Sequence, residues 1–231
     1  MSSSHTKHEK SLRPHGVFVL VVLFLLTITP TVLADRITGV TATTNMGSGF
    51  GTNLQTTVNG VGLSALSLTA THAGTIPANS WVSNTGVLTG QITFNLGGLF
   101  SVDSFSFWNQ NGGGPGFAGS TGIQNVQVLL STNGTDFTPL PGGPSAFARA
   151  IGVNLPPQIF SFTAVNATHF RFNVLSNHGD IFQTGFAEVG FNGGPVTVGP
   201  IPEPTTMLLL GTGLAAIAVK LRRKRRTSQQ E

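Results

Sequence analysis

The feature that most constrains this chain is an alternation of apolar and polar residues within short segments of its central region. Ile92, Phe94 and Leu96 are each separated by one polar residue. The same period of two recurs in five further segments: 104–107, 125–130, 160–162, 170–174 and 187–191. A period of two places alternate side chains on opposite faces of a β-strand. The pattern predicts antiparallel strands that each turn one apolar face to a core and one polar face to water.

The composition agrees with a sandwich of such strands. The segments are separated by clusters of Gly, Pro, Asn and Asp, which favour turns, and no apolar stripe of helical period and useful length occurs between them. Seventeen Phe and no Tyr suit a core of rings that need no hydroxyl partners. The absence of Cys excludes disulfides and a cysteine nucleophile. We predict an all-β sandwich, with weaker strands at 39–43 and 63–70.

The positive charge of the chain is concentrated at its two ends. Of the 12 Lys and Arg, three lie before residue 17 and six lie after residue 219. The central region holds three arginines against five acidic residues, a net charge of −2. A net-acidic body with three cations cannot neutralise a row of phosphates, so the sequence argues against nucleic-acid binding.

The N-terminus has the layout of a secretory signal peptide. Basic residues precede the apolar run 17–26 (VFVLVVLFLL), and Val32-Leu33-Ala34 follows. Small or short residues three positions and one position before a cleavage point are typical of such peptides. We predict a signal peptide over residues 1–34, with Sec-dependent export and cleavage by signal peptidase between Ala34 and Asp35. An uncleaved N-terminal anchor is the alternative.

The C-terminus carries a second address. Pro202, Glu203 and Pro204 precede a short apolar segment, for which we predict a transmembrane helix at about residues 205–221. Five cations follow it: Arg222, Arg223, Lys224, Arg225 and Arg226. Clustered cations stay on the cytoplasmic side, which places the body outside the cytoplasm. A buried hydrophobic helix is the alternative, although a core helix does not usually end in such a cluster.

These three parts in this order, over roughly residues 199–226, resemble the PEP-CTERM sorting signal of Gram-negative bacteria. The resemblance implies recognition by an exosortase, a membrane-embedded cysteine protease, and cleavage at or near the Pro-Glu-Pro tripeptide. It also implies an inner-membrane intermediate and a final location at the cell surface or in the extracellular matrix. We assign residues 199–231 to this signal and residues 35–198 to the folded domain.

The folded domain resembles discoidin, or coagulation-factor type C, domains over roughly residues 75–192. The resemblance rests on five pieces of sequence in order: Ser80-Trp81 through ITFNLG at 92–97, the strand 102–108, NVQVLLSTNGTDF at 125–137, ATHFRF at 167–172 and GFAEVGF at 185–191. It implies a galactose-binding-like jelly roll, in which two antiparallel sheets pack together and ligand loops cluster at one end.

A possible ligand site follows from that expectation. The Gly-rich loop 109–122 lies where a jelly roll keeps a ligand loop, and Trp108 could offer an aromatic platform to a sugar ring. Side-chain amides can bond sugar hydroxyls as donors and as acceptors. The candidate residues are Trp108, Asn109, Gln110, Asn111, Arg171 and Asp180. A surface loop beside a core Trp108 is the alternative, and Arg171 and Asp180 could instead pair with each other.

Glu188 is the candidate metal ligand. In discoidin-like domains the matching Glu on the closing strand often helps to hold a structural Ca²⁺, so the resemblance implies a possible calcium site. The loop 70–80 lacks the Asp that such domains usually bring, and Ca²⁺ needs six to eight oxygen ligands. A Glu facing solvent on an edge strand is the alternative.

The sequence argues against catalysis. It contains no G-x-S-x-G motif, and the three histidines of the body, His72, His169 and His178, have no metal-ligand spacing. We predict an exported, membrane-tethered, non-catalytic surface protein that binds or organises extracellular polysaccharide. A structural matrix protein without a small ligand and a secreted hydrolase with an unrecognised site are the alternatives.

Overall fold

The computed structural model describes residues 35–113, 118–196 and 204–227. The predicted signal peptide 1–34, including Ala34, lies outside these residues, as do Pro202 and Glu203 of the sorting motif. The strands are β1 (Asp35–Arg36), β2 (Thr41–Thr44), β3 (His72–Ala73), β4 (Trp81–Val82), β5 (Gly90–Asn109), β6 (Val126–Ser131), β7 (Thr138–Pro139), β8 (Asn154–Leu155), β9 (Gln158–Val174) and β10 (Gly185–Pro195).

Two long antiparallel strands, β5 and β9, organise the fold. They pair from Gly90 with Val174 through to Phe107 with Gln158, and the register shifts between Asn95 and Phe100. Gly97 lies within this interval with φ of +82°, a left-handed conformation that favours glycine. The two-stranded ribbon therefore bends near its middle and contributes to two layers.

The remaining main strands add to one half of this ribbon or the other. In the first layer, β2 pairs with the first half of β5, β6 pairs with the last part of β9, and β7 pairs with β6. In the second layer, β10 pairs with the second half of β5, and β1 and β4 pair with β10. All of these pairings are antiparallel. A separate two-stranded ladder joins β3 and β8.

Phenylalanine rings fill the space between the two layers. Phe94 of the first layer lies 5.6 Å from Phe191 of the second, measured between ring centroids, and Phe170 lies 4.9 Å from Phe191. Phe105 of the second layer lies 5.6 Å from Phe172 of the first. All five rings are fully buried. The all-β sandwich of antiparallel strands predicted from the alternation is confirmed.

In the second layer, β10 does not have the one solvent-exposed face that the sequence predicts. Both faces of β10 are buried, because the irregular segment 53–74 and the β3–β8 ladder cover its outer side. A β-bulge between Phe186 and Glu188 turns Ala187 to this outer side, away from Val189 and Phe191. The weak strand predicted at 39–43 is observed as β2, whereas 63–70 forms turns.

The C-terminal helix α1 spans Pro204–Thr227, which confirms a helix in the region predicted at about 205–221. Its described side chains, residues 208–223, are exposed. Within the part of the chain that the structure describes, no helix has both the length and the apolar character required to cross a membrane. The apolar stretch ends at Lys220, short of the roughly 20 residues that a span requires. The membrane-spanning part of the prediction is therefore not confirmed.

We expect Phe94→Ala to lower the free energy of unfolding by about 3–5 kcal/mol, because it leaves a cavity at the contact of the two layers. Urea denaturation followed by Trp fluorescence measures this change. Leu175→Ala removes an exposed side chain and is the matched control, with an expected change within about 0.5 kcal/mol. Equal losses in the two variants would contradict this account of the core.

Candidate functional site

Trp108 cannot act as a sugar platform. It lies on β5 on the covered outer side of the second layer, where it is fully buried and packs with Leu155 and Ala187. Its indole Nε1–H donates to the carbonyl of Ala70 at 2.9 Å. The prediction for Trp108 is wrong because the segment before β4 folds over this face, and the alternative of a core Trp holds.

The neighbouring Asn109 is also a structural residue. Its amide is buried and donates to the carbonyls of Ile123, at 2.7 Å, and Ala148, at 2.9 Å. Its Oδ1 accepts the backbone N–H of Gln110 at 3.0 Å. Asn109 therefore ties three loop segments together and has no amide hydrogen left for a ligand.

Asn111 joins two loops in the same manner. Its Oδ1 accepts the backbone N–H of Thr75 at 3.0 Å and also the Thr75 hydroxyl, and its Nδ2 donates to the carbonyl of Gly152. Of the three amides predicted in this loop, that of Gln110 lines the pocket described below.

Arg171 and Asp180 do not come together. The guanidinium of Arg171 lies over the ring of Phe137, and its Nε donates to Thr93 Oγ1 at 2.9 Å. Asp180 closes a turn at the end of the sandwich, where its Oδ1 accepts the backbone N–H of Phe182 at 2.7 Å. The structure therefore brings neither residue to Trp108, and the two do not pair with each other.

A pocket of about 220 Å³ opens at the end of the sandwich away from the bend in the β5–β9 ribbon. The loops after β2, before β4, after β5 and before β10 form it. We call it the end pocket. Its polar walls include Ser80, Gln110, Thr121 and Gln183, and its apolar walls include Phe50 and Ile76.

Phe50 is the most unusual residue of the end pocket. Its side chain is 75% exposed, and its φ of +51° is the only positive value recorded for a non-glycine residue in the described parts of the chain. A bulky residue in this conformation is strained, and such strain occurs preferentially at ligand sites. The loop is fixed on both sides, since Gly49 N–H donates to Val82 O and Thr52 N–H donates to Gly49 O, each at 2.9 Å.

Two buried glutamines form the polar wall. Gln110 Nε2 donates to Ser80 Oγ at 3.2 Å, and Gln183 Nε2 donates to the Ser83 carbonyl at 2.9 Å. These bonds fix both amides. Each Nε2 retains one hydrogen, and Gln183 Oε1 accepts no hydrogen bond from the described residues. The end pocket thus combines oriented amide groups with an exposed aromatic ring.

Sequence reasoning did not identify Phe50, Ile76 or Gln183. A signal for Phe50 is present in the segment GSGFGTN at 47–53, where a single large aromatic side chain stands between glycines. Glycine-flanked aromatics of this kind occur in turns, where the ring has no strand face on which to pack. Ile76 and Gln183 carry no comparable signal.

Glu188 was predicted either to bind calcium or to face solvent on an edge strand, and its contacts fit neither role. It is fully buried on β10 and is flanked by β5, so it is not an edge-strand residue. Its Oε1 accepts hydrogen bonds from the guanidinium of Arg36, on β1, and from the Gly60 N–H at 3.0 Å. Arg36 Nη2 also contacts the carbonyl of Val58 at 3.4 Å. This buried ion pair joins the first and last strands of the sandwich.

These contacts do not fit a calcium ion at Glu188. The guanidinium already provides the positive charge beside the carboxylate and the Val58 carbonyl, and a divalent cation there would meet Arg36 in a buried environment. Within residues 35–113, 118–196 and 204–227, no three His, Asp or Glu side chains converge in a way that could hold a metal ion. The structure does not support the calcium expectation.

Burial raises the pKa of Glu188 to about 7, although the charge of Arg36 and the hydrogen bonds from Arg36 and Gly60 act to lower it. Arg36 Nη1 and Glu188 Oε2 are both buried without a hydrogen-bond partner. Unsatisfied atoms of this kind make a buried ion pair costly to desolvate.

Three comparisons with known proteins bear on this description. Residues 200–225 match the PEP-CTERM protein-sorting motif, which confirms the sorting signal predicted from the sequence. No curated protein matches the chain.

Among solved structures, the domain is similar to carbohydrate-binding modules of Clostridium perfringens. A family 32 module of NanJ in complex with galactose is 14% identical, with 69% of this chain and 98% of that chain covered and a TM-score of 0.44. Module CBM32-1 of a family 31 glycoside hydrolase is 9% identical, with coverages of 68% and 96% and a TM-score of 0.49. A family 89 glycoside hydrolase is 18% identical, with a TM-score of 0.45; 70% of this chain aligns with only 15% of that enzyme.

At pH 8, where Glu188 is mostly ionised, we expect Arg36→Ala to lower the free energy of unfolding by about 3–5 kcal/mol. The cause is the loss of the Arg36 charge, which leaves Glu188 either as an unpaired buried anion or as a carboxyl that must take up a proton from solution. Chemical denaturation measures the loss. Arg149→Ala removes an exposed arginine and is the control, with little expected change.

Thermal unfolding of the wild-type chain tests whether the guanidinium of Arg36, and not a metal ion, is the cation beside Glu188. The melting temperature of the wild-type chain should not change when EDTA or excess calcium is added. A clear decrease with EDTA would show that a metal ion contributes to stability, in contradiction to the assignment of Arg36.

The raised pKa of Glu188 predicts a pH dependence of stability. Its value of about 7 in the folded chain exceeds the ordinary value of 4.5, so the folded state holds the proton more tightly. This contribution is complete below about pH 4.5 and is lost as the pH rises to 7, a change of about 3 kcal/mol. Denaturation between pH 4.5 and 8 should show this decline in the wild type and a flatter profile in Glu188→Gln. Parallel profiles would contradict the prediction.

Proposed function

We propose that this chain is an exported, non-catalytic protein that binds a neutral sugar of an extracellular polysaccharide in the end pocket. The observation that carries the proposal is the exposed and strained Phe50 beside the two oriented amides of Gln110 and Gln183. Binding sites for small ligands typically combine apolar walls with a few fixed polar groups. Phe50 is strained and contributes nothing to the core, and a contact with a ligand would explain why such a residue is present.

A sugar ring has chemistry that matches these walls. Its C–H face is apolar and can lie against the ring of Phe50 and the side chain of Ile76. Its hydroxyls can accept from the remaining Nε2 hydrogens of Gln110 and Gln183 and can donate to Gln183 Oε1. The end pocket contains no charged lining residue among those described, which favours a neutral sugar over a charged one.

The sorting motif supports a role outside the cytoplasm. A PEP-CTERM signal is consistent with export and with a membrane-anchored processing step before release to the surface. On this proposal an exosortase acts on the segment that contains Pro202, Glu203 and Pro204, and the sandwich is the part that remains. Helix α1 and its basic tail then serve delivery, not sugar binding.

The geometry of the acidic residues supports a non-catalytic role. A glycosidase requires two carboxyl groups that face each other across a substrate, about 5–9.5 Å apart. Glu188 is buried against Arg36, and Asp180 is engaged in the backbone of its own turn. Neither group can therefore reach the end pocket as an acid or a base.

We expect the full-length chain to bind members of an array of neutral hexose and N-acetylhexosamine oligosaccharides. Phe50→Ala should weaken binding to the best of these by about fivefold or more, because it removes the apolar contact. Gln183→Ala should weaken it by roughly two- to tenfold through the loss of one hydrogen-bonding group. Titration calorimetry measures both changes.

Leu99→Ala is the matched control for these variants. Leu99 is 40% exposed and lies at the bend of β5, at the opposite end of the sandwich, so its removal should leave the affinity unchanged. If the wild type bound no neutral glycan, or if Phe50→Ala bound as well as Leu99→Ala, the end pocket would not be the sugar site. The structural, ligand-free function would then be favoured.

A further inference from the structure

A second polar surface lies on the outer face of the first layer, away from the end pocket. Cross-strand partners share a face of a sheet, so the pairings among β2, β5, β9 and β6 define two neighbouring rows of side chains there. The rows are Thr43–Thr93–Arg171–Leu129 and Thr41–Asn95–His169–Ser131. Successive rows are about 7 Å apart along the strands.

These rows form a groove of about 300 Å³ that we call the sheet groove. Apart from Gly134, its lining residues carry polar side chains: Thr41, Thr43, Thr93, Asn95, His169 and Arg171. The sheet below it is rigid, because the opposite faces of the same strands form the phenylalanine core. The sheet groove is therefore a fixed array of hydroxyl and amide groups around one cation.

The guanidinium of Arg171 is held in one orientation but keeps free hydrogen-bond donors. Its Nε–H donates to Thr93 Oγ1 at 2.9 Å, and its central carbon lies 3.6 Å from the centroid of the Phe137 ring. These two contacts hold the plane of the group. Its Nη1 and Nη2 donate to no residue in the described parts of the chain, which leaves the four hydrogens of the planar fork for a ligand.

No acidic side chain of the described residues neutralises this cation. Asp136 precedes Phe137, over whose ring the guanidinium lies, and its Oδ2 accepts from Asn133 Nδ2 at 2.7 Å. Burial and the charge of Arg171 lower the pKa of His169, which favours its neutral form. Arg171 therefore presents an oriented cation, without an acidic partner among the described residues, to an anionic ligand in the sheet groove.

We propose that the sheet groove binds the carboxylate of a uronic acid residue in an acidic polysaccharide. A planar carboxylate matches the two parallel N–H directions of an arginine fork. The hydroxyls of Thr41, Thr43 and Thr93 and the amide of Asn95 can bond the sugar hydroxyls around it. The site is separate from the end pocket, and it does not depend on sugar binding there.

Polygalacturonate is a suitable probe, and its methyl ester is the neutral comparison. The basic tail would bind any polyanion, so the full-length chain should carry glutamine at all five tail positions, Arg222 to Arg226. This chain should bind polygalacturonate but not the methyl ester. Arg171→Gln should weaken binding by about tenfold or more, and Arg171→Lys, which keeps the charge and loses the fork, by about threefold or more.

Arg149→Gln is the matched control, because it makes the same change of charge at an exposed arginine outside the sheet groove, and it should alter the affinity by less than about twofold. Equal losses in Arg149→Gln and Arg171→Gln, or no binding of polygalacturonate, would each overturn the proposal. Phe50→Ala should retain polygalacturonate binding, which separates failure at this site from failure at the end pocket. Circular dichroism of each variant verifies the fold.

Discussion

The pairing of β5 with β9 is the constraint on which the rest of the structure depends. Each main-sheet strand joins this ribbon directly or through one neighbour, and the bend at Gly97 folds the ribbon over its own aromatic residues. Because the ribbon folds near its middle, its two halves return to the same end of the sandwich. The loops that form the end pocket are held at that end for this reason, and the pocket is a consequence of the bend.

The ion pair of Arg36 and Glu188 closes the sandwich where the ribbon does not reach. It connects β1 with β10 and also holds the segment 58–60 through the Val58 carbonyl and the Gly60 N–H. Burying two charges is expensive, and a hydrophobic pair of similar size is often at least as stable. The segment 58–60 contributes one hydrogen bond to each charged group, so its position over β10 is coupled to the ion pair.

The sequence predicts those parts of the structure that depend on short-range pattern. Alternation identifies the strands and the inward face of Phe94, Phe105 and Phe172, and the sorting motif is evident from its three consecutive parts. The sequence does not reveal that segment 53–74 covers the outer side of the second layer. Turns with little periodicity carry no information about what they contact. The errors at Trp108 and Glu188 have this one cause. Phe50 was missed because its exposure depends on a loop conformation and not on a face of a strand.

The two proposed sites differ in chemistry because they differ in their position in the fold. Loops at the end of the sandwich can enclose a pocket with buried amides and an aromatic wall, which suits an uncharged ring. A sheet face cannot enclose a ligand, so affinity there depends on a few strong contacts, such as an arginine fork with free N–H groups. A polysaccharide with neutral and acidic residues could engage both sites along one chain. Two weak contacts linked in this way bind far more tightly than either alone when the spacing fits.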